Sequence, residues 1–341
     1  MKILVTGGAG FVGSHVAEHF AEHDDVVVCD NLARATMLNK SSGDELFNWN
    51  YLKGFRHVSM VKADIRDMDV LGQAARDSDV IIHTAAQVAV TSSVIDPKTD
   101  FEVNLIGTFN VLETARLNDS AVVFCSTNKV YGNNVNSIPV AERETRYVLA
   151  NGEFDHGVPE SFPIDHTGHS PYGSSKLAAD IYVQDYAHTY GLKTGVFRMS
   201  CIYGKRQFGV EDQGWLAWFV IATQTGKPIV IYGDGKQVRD VLYVTDLVRA
   251  FDSFLTSEVK HEVFNMGGGP ENTLSLLELV QMLRELTGKN PNVSFAEWRP
   301  SDQRVYVSDI RKVSNSLQWK PLVGTKEGVN RVVEWVQTVK F

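Results

Sequence analysis

The chain has 341 residues, 43% of them hydrophobic and 22% charged, a balance that suits a globular protein and excludes disordered, collagen-like and fibrous classes. Thirty-three basic residues against 41 acidic ones give a net charge of −8. A nucleic-acid partner or a membrane-surface partner is therefore not expected, and an anionic ligand must be held by local arginines and backbone dipoles.

In chain order, Lys2–Thr6 reads as a short apolar strand running into glycines, and Phe11–Ala21 as a helix. Only Ile3, Leu4 and Val5 separate Lys2 from Thr6, so no secretory signal core is expected. Val26–Asp30, Val58–Val61, Val80–His83 and Ala121–Ser126 read as further strands, and Asp96–Leu117 as one long helix with Pro97 near its start. Continuous apolar strands alternating with helices predict an α/β fold: a parallel, doubly wound sheet covered on both faces. From about 133 to 169 the pattern is lost, and a long surface excursion serving as a lid is expected there. Regular structure returns at Ser170. Strands follow at Ile229–Tyr232 and Val263–Met266, with helices at Thr245–Leu255, Ser275–Leu286 and Gly328–Val339. The longest apolar run, Trp215–Ala222, is 8 residues, against about 20 needed to span a bilayer. Three widely spaced cysteines, Cys29, Cys125 and Cys201, exclude a disulfide framework. They fit a reducing compartment, so the expected location is cytoplasmic.

Thr6-Gly7-Gly8-Ala9-Gly10-Phe11-Val12-Gly13 follows the first strand and opens the first helix. Missing side chains let the backbone turn tightly and approach a pyrophosphate, and the helix N-terminus then offers free N–H groups and partial positive charge. Such a turn is weak alone. Here a strand precedes it, a helix follows, and Asp30 ends the next strand. A carboxylate at Asp30 accepts from ribose hydroxyls and repels a 2′-phosphate, so the expected cofactor is NAD rather than NADP.

Ser170-Pro171-Tyr172-Gly173-Ser174-Ser175-Lys176 opens a helix with a good N-cap and a proline at its first position. Tyr172 and Lys176, four apart, share one helical face. A phenol ordinarily titrates near pH 10, too high for a base at neutrality. An adjacent ammonium and an oxidised nicotinamide lower that value, so Tyr172 can take a hydroxyl proton while hydride leaves the same carbon.

These motifs together resemble the extended short-chain dehydrogenase/reductases, the NAD-dependent epimerase/dehydratase family. The resemblance implies a Rossmann-type dinucleotide-binding domain over 1–196. A smaller nucleotide-sugar-binding lobe over 197–341 is implied with it, interleaved with the first around 235–255. It implies Thr127 as the hydroxyl partner of Tyr172 and Lys176 in catalysis. It implies cofactor contacts at Gly7, Gly10, Phe11, Val12, Gly13, Asp30, Asn31, Asp64, Ile65, Ala85, Ala86, Asn104 and Ser126, besides Tyr172 and Lys176. The strings Ala86–Ala89, Ser126–Gly132, Phe197–Gly209, Glu211–Trp215 and Ser301–Val305 are similar to the branch that inverts C2 of CDP-hexoses, of the CDP-paratose/CDP-tyvelose type. That similarity implies a transient 2-keto sugar. It also implies substrate contacts at Gln87, Asn128, Arg206, Gln207, Arg239, Arg299 and Arg304, with Gln213 and Trp215 selecting sugar or base unless Trp215 only fills the core. A guanidinium suits phosphate oxygens because it grips them in pairs. Members of the family often pair through a four-helix bundle, so a homodimer is expected.

Asn128-Lys129 stands where a nucleotide-sugar 4,6-dehydratase needs an acid–base pair, typically Asp-Glu, which argues against dehydration. A UDP-sugar 4-epimerase uses the same Thr, Tyr and Lys and stays the rival reading. A non-catalytic dinucleotide sensor of the same fold would not need all three. His15-Val16-Ala17-Glu18-His19 matches a zinc-peptidase pattern, but the glycine turn already explains that helix. His156, His166 and His169 read as solvated loop residues, and no metal is expected. Cys125 and Cys201 read as small buried residues rather than nucleophiles.

Overall fold

The structure, a computed structural model, describes residues 1–37, 46–150, 152–299 and 302–341. Asn151 and Ser301 therefore lie outside the described residues. The chain begins with β1 (Lys2–Thr6), α1 (Phe11–Phe20), β2 (Asp25–Asp30), α2 (Arg34–Met37), α3 (Phe47–Leu52) and β3 (Val58–Lys62). There follow α4 (Met68–Ala74), β4 (Val80–His83), α5 (Val90–Ile95), α6 (Pro97–Phe101), a π-helical turn (Glu102–Ile106), α7 (Gly107–Asn118) and β5 (Ala121–Thr127). A 3-10 stretch (Asn128–Ser137) leads into β6 (Val140–Glu142), β7 (Tyr147–Leu149), α8 (Pro171–Tyr190), β8 (Thr194–Met199) and β9 (Cys201–Tyr203). The remainder is α9 (Trp215–Thr225), β10 (Ile229–Tyr232), β11 (Val238–Tyr243), α10 (Val244–Thr256), β12 (His261–Met266), β13 (Thr273–Ser275) and α11 (Leu276–Thr287). It closes with β14 (Val293–Ala296), β15 (Val305–Tyr306), α12 (Arg311–Leu317) and α13 (Thr325–Thr338).

Packing divides these elements into two units. The first comprises Met1–Val130, Ser170–Arg198 and Val248–Phe264; the second comprises Tyr131–His169, Met199–Leu247 and Asn265–Phe341. The first unit is built on a seven-stranded sheet in the order β12-β8-β5-β4-β1-β2-β3. The pairs β1–β2, β1–β4, β2–β3 and β4–β5 all run parallel. This is the doubly wound Rossmann-type α/β fold. Its strands are apolar throughout because helices cover both faces, leaving Leu4, Ile81, Val122, Phe124 and Val196 without exposure. The order reverses between β1 and β4, so a crevice opens beyond their carboxyl ends, where such sheets bind ligands.

The sequence between 96 and 117 does not form one continuous helix. α6 and α7 are separated by the π turn at 102–106, which carries Asn104. A π turn accommodates an additional residue and commonly marks a functional position.

In the second unit, β11 pairs with β13, β15 and β9. The stretch expected as an irregular excursion contains an antiparallel hairpin, β6–β7. Its Tyr147 is buried against Val238, Val305 and Val307, so this part is a component of the core rather than a lid. The apolar run Trp215–Ala222 is a helix whose Leu216, Ala217, Phe219 and Val220 are buried. α13 starts at Thr325, three residues earlier than Gly328. Among the described residues no helix is long and apolar enough to cross a membrane.

Candidate active site

The turn after β1 is shaped by its glycines. Gly7 has φ +67°, and a Cβ there would lie 2.6 Å from the Ala85 nitrogen. A Cβ on Gly13 would strike the Gly7 carbonyl oxygen and lie 2.7 Å from the Gly8 Cα. Side chains would therefore fill the space in which the loops after β1 and β4 approach one another. Gly10 is the N-cap of α1 and has no side chain to cap it, which leaves the N–H groups of Phe11, Val12 and Gly13 without intrahelical acceptors. A cradle of this kind fits a pyrophosphate. Asp30, at the end of β2, accepts from the Ala9 N–H (3.0 Å) and the Leu32 N–H (2.7 Å). Burial pushes its carboxyl above the usual range, opposed by these backbone donors. Asp64 is gripped by Arg66 through Nε and Nη2 at 3.0 and 2.8 Å and by Asn31 Nδ2 at 2.9 Å. The Arg66 contact holds its pKa down at about 2. Ile65 is buried beside Gly107.

Tyr172 and Lys176 enter from α8. Ser170 caps that helix by accepting the Gly173 N–H at 3.1 Å. Ser93 of α5 accepts the Tyr172 N–H at 3.1 Å, fixing the first turn. Both side chains are buried, and the Lys176 Nζ lies 4.1 Å from the Phe124 ring centroid on β5. Thr127, the last residue of β5, hydrogen-bonds the Tyr172 phenol. The Lys129 N–H donates to Thr127 Oγ1 at 3.2 Å, and the threonine hydroxyl donates to Asn128 Oδ1 at 3.5 Å. Burial pushes the phenol up to about 12, against the lowering effect of Thr127. Burial brings the Lys176 ammonium down to about 8. The structure thus joins Thr127, Tyr172 and Lys176 at the carboxyl edge of the sheet, beside the strand pair that carries the glycine turn.

Asn104 lies beneath this group. Its Oδ1 accepts the Gln87 N–H at 2.9 Å, and its Nδ2 donates to the Gln87 carbonyl at 3.0 Å. The Gln87 amide is spent inside the protein: Nε2 donates to the Ala89 carbonyl and to Asp100 Oδ1, both at 2.9 Å. The Ser126 hydroxyl donates to Asp180 Oδ2 at 2.6 Å, and Asp180 also receives Arg198 Nε at 3.0 Å. Ala86 lies on the loop after β4, and buried Asn128 begins the 3-10 stretch after Thr127.

In the second unit, Arg239 on β11 reaches Asp302 Oδ1 at 2.8 Å. Arg299 pairs with Asp212 Oδ1 at 2.9 Å and stacks 4.0 Å from the Tyr232 ring centroid. The Arg304 guanidinium lies 5.6 Å from the Tyr147 ring. Arg206 is buried with φ +60°, and Gln207 Nε2 donates to the Ile202 carbonyl at 3.2 Å. Trp215 Nε1 donates to the Cys201 sulfur at 3.3 Å.

The model of the NAD dependent epimerase/dehydratase family matches residues 3–267. The chain belongs to this family. It is 40% identical over 99% of its length to the whole of CDP-paratose 2-epimerase of Salmonella typhi. It is 33% identical to a putative UDP-glucose 4-epimerase of Methanocaldococcus jannaschii, with 98% of each chain covered. Among solved structures it is similar to the UDP-glucose 4-epimerase of Thermus thermophilus in complex with NAD, with a TM-score of 0.80, 33% identity and full coverage of both chains. NAD is the cofactor of this NAD-dependent nucleotide-sugar epimerase/dehydratase family member.

Several residues of this site escape sequence reading. His83 bridges Thr6 Oγ1 (2.6 Å) and Thr108 Oγ1 (3.1 Å). Thr108 gives its own proton to the Asn104 carbonyl, so His83 Nε2 donates to Thr108; burial disfavours the charged ring, and in the neutral imidazole Nδ1 then accepts from Thr6. Ser93, Asp100, Ser175 and Asp180 were equally silent. Ser175 stands inside the Tyr172–Lys176 interval, and Asp100 stands four before Asn104. That spacing is the one signal that could have found them. Among the described residues no group of three or more His, Cys, Asp or Glu is placed to hold a metal. His15 and His19 engage the Phe11 carbonyl and Asp252 instead.

Proposed function

We propose that this enzyme inverts C2 of a CDP-hexose of the CDP-paratose/CDP-tyvelose type through a transient 2-keto sugar. The observation that carries the reading is the 40% identity, end to end, with a CDP-paratose 2-epimerase. Inversion at C4 of a UDP-sugar is the second reading, favoured by the 33% identity to 4-epimerase relatives.

When bound, NAD takes up and returns the hydride at the reacting carbon and, oxidised, adds positive charge near the phenol. Gly7, Gly10 and the N–H groups of Phe11–Gly13 hold its pyrophosphate, with Ala85 and Ala86 alongside. Asp30 and Asn31 take a ribose. Asp64 and Ile65 border the adenine, and Lys176 takes the nicotinamide ribose. Tyr172 Oη removes the proton of the sugar hydroxyl. Its value near 12 describes the protein without that cofactor charge; an added cation and the Lys176 ammonium both stabilise phenolate. Thr127 donates to the reacting oxygen. Asn128 and Lys129 in place of Asp-Glu support epimerisation over loss of water. Arg239, Arg299 and Arg304 grip the diphosphate, exchanging Asp302 and Asp212 for phosphate oxygens. Arg206, Gln207, Gln87 and Asn128 complete the substrate set, Gln87 by shaping the loop after β4.

Phe101, Ile106 and Phe109 on one helical stretch, and Ile181 and Tyr182 on α8, are exposed. Such a face supports a homodimer in which two helices from each copy form a four-helix bundle. Equilibrium sedimentation should return twice the chain mass, and a monomer would remove this part. Cell fractionation tests the cytoplasmic location that three reduced cysteines support. The decisive assay is a panel of CDP-, GDP- and UDP-hexoses scored for C2 against C4 inversion. Turnover of CDP-tyvelose at C2 is expected; inversion only at C4 overturns the reading.

A further inference from the structure

We infer that Asp100 is a positioning residue for the Tyr172–Lys176 pair, anchoring Ser175 between them and placing a buried negative charge that acts on the ammonium. The inference rests on Tyr172 being the base. Asp100 is 1% exposed and lies on α6, outside the helix that bears the pair. Its Oδ2 accepts the Ser175 hydroxyl at 2.5 Å, and its Oδ1 accepts Gln87 Nε2 at 2.9 Å and Asn104 Nδ2 at 3.1 Å. The orientation of both amides follows from their other bonds. The Ala89 N–H donates to Gln87 Oε1, so the Gln87 nitrogen must face Asp100. The Gln87 N–H donates to Asn104 Oδ1, so the Asn104 nitrogen faces Asp100 and Ser175. Three donors therefore converge on Asp100, and an ionised carboxylate accepts from all of them.

A buried carboxylate is costly unless a charge offsets it. A neutral side chain could hold Ser175 as well, so the charge needs its own reason. Lys176, buried one residue beyond Ser175, supplies it. Besides burial, the charged and titratable groups acting on Lys176 are, in falling order, Cys125 from β5, Asp180 from α8 and Asp100 from α6. The ammonium in turn acts on His83 of β4. Tyr172 experiences Asp100, Cys125 and Thr127. The Cys125 thiol is held neutral by burial, at about 12. Asp180 is ion-paired with Arg198. Asp100 is thus the carboxylate of this set with no arginine in its hydrogen-bond shell among the described residues.

Asp100→Asn keeps the shape and removes the charge. A lost negative charge makes both phenol and ammonium release protons more readily. Both limbs of the kcat–pH profile for CDP-tyvelose turnover should therefore move to lower pH by about one pH unit, with KM unchanged. In the NAD-loaded protein, the ultraviolet difference titration of tyrosinate against Tyr172→Phe should move the same way. Asp100→Glu retains the charge and should keep both limbs near the wild-type position. Limbs that stay in place in Asp100→Asn, with kcat merely lowered, would reduce Asp100 to structural support and overturn the inference. If Asp100→Asn does not fold, Ser175→Ala decides: a several-fold loss of kcat with KM and both limbs unmoved is expected, and an unchanged kcat overturns the anchoring role. Full activity in Tyr172→Phe would instead defeat the base assignment itself, a separate outcome.

Discussion

Acid should weaken this fold through one imidazole. His83 is 1% exposed, and burial lowers its pKa from 6.5 to about 3, helped by the Lys176 ammonium. The native value lies below the unfolded one, so its contribution is fully present above pH 6.5 and is lost as pH falls toward 3. At pH 5 the unfolded chain binds a proton at this residue that the native protein refuses. That costs about 2 kcal/mol relative to pH 7.5, and any native value below about 4 gives the same figure. Raw acid titration would blur this, since burial raises the carboxyls of Asp30, Asp100, Asp240 and Glu160 and so works in the opposite direction. The clean measurement is urea unfolding of wild type and His83→Gln at both pH values and one fixed NAD concentration. Wild type should lose about 2 kcal/mol more than the variant between pH 7.5 and 5. Equal losses would mean that His83 is protonated in the native protein, refuting the neutral bridge between Thr6 and Thr108.

Tyr172→Phe removes the proton acceptor and leaves the glycine cradle intact. Its turnover should fall by about 10²- to 10⁴-fold, while ultraviolet absorbance of the purified protein still reports bound NAD. Gly13→Ala sets a methyl group against the Gly7 carbonyl and the Gly8 Cα, backbone that cannot step aside. Overpacking of this kind costs about 1–3 kcal/mol, so calorimetric NAD affinity should drop by roughly 5- to 150-fold; unchanged affinity would place the pyrophosphate elsewhere.

Much of the sheet was legible because its strands are unbroken apolar runs closed by small or polar residues. Lys2–Thr6 and Val80–His83 match their observed limits to the residue. The Ser170 cap and Pro171 announced α8, and the family resemblance pointed to Thr127. Periodicity failed where hydrogen bonding rather than burial sets the backbone. The π turn at 102–106 leaves the apolar pattern almost intact, so 96–117 looked like one helix. β6 and β7 are three residues each and sit in a polar stretch, too short for alternation to register. The arginine partners Asp302 and Asp212 lie 63 and 87 residues from Arg239 and Arg299, and no local pattern encodes such pairs. The same holds for the inward carboxylates of Asp100 and Asp180, which look like ordinary surface acids until their helices are placed.

The division of the chain has a consequence for its synthesis. The first unit is not a continuous stretch, for it takes back Val248–Phe264 after the chain has left at Arg198. Those late residues bring Phe251, Phe254 and Phe264, the rings that surround Phe197 at 4.8, 6.0 and 5.5 Å. They also bring β12, the strand that covers the outer side of β8. At ribosomal speeds of about 5–20 residues per second, the nascent protein carries β8 as an open edge, and Phe197 without its partners, for several seconds. Neither truncation nor a single proteolytic cut can release either half whole.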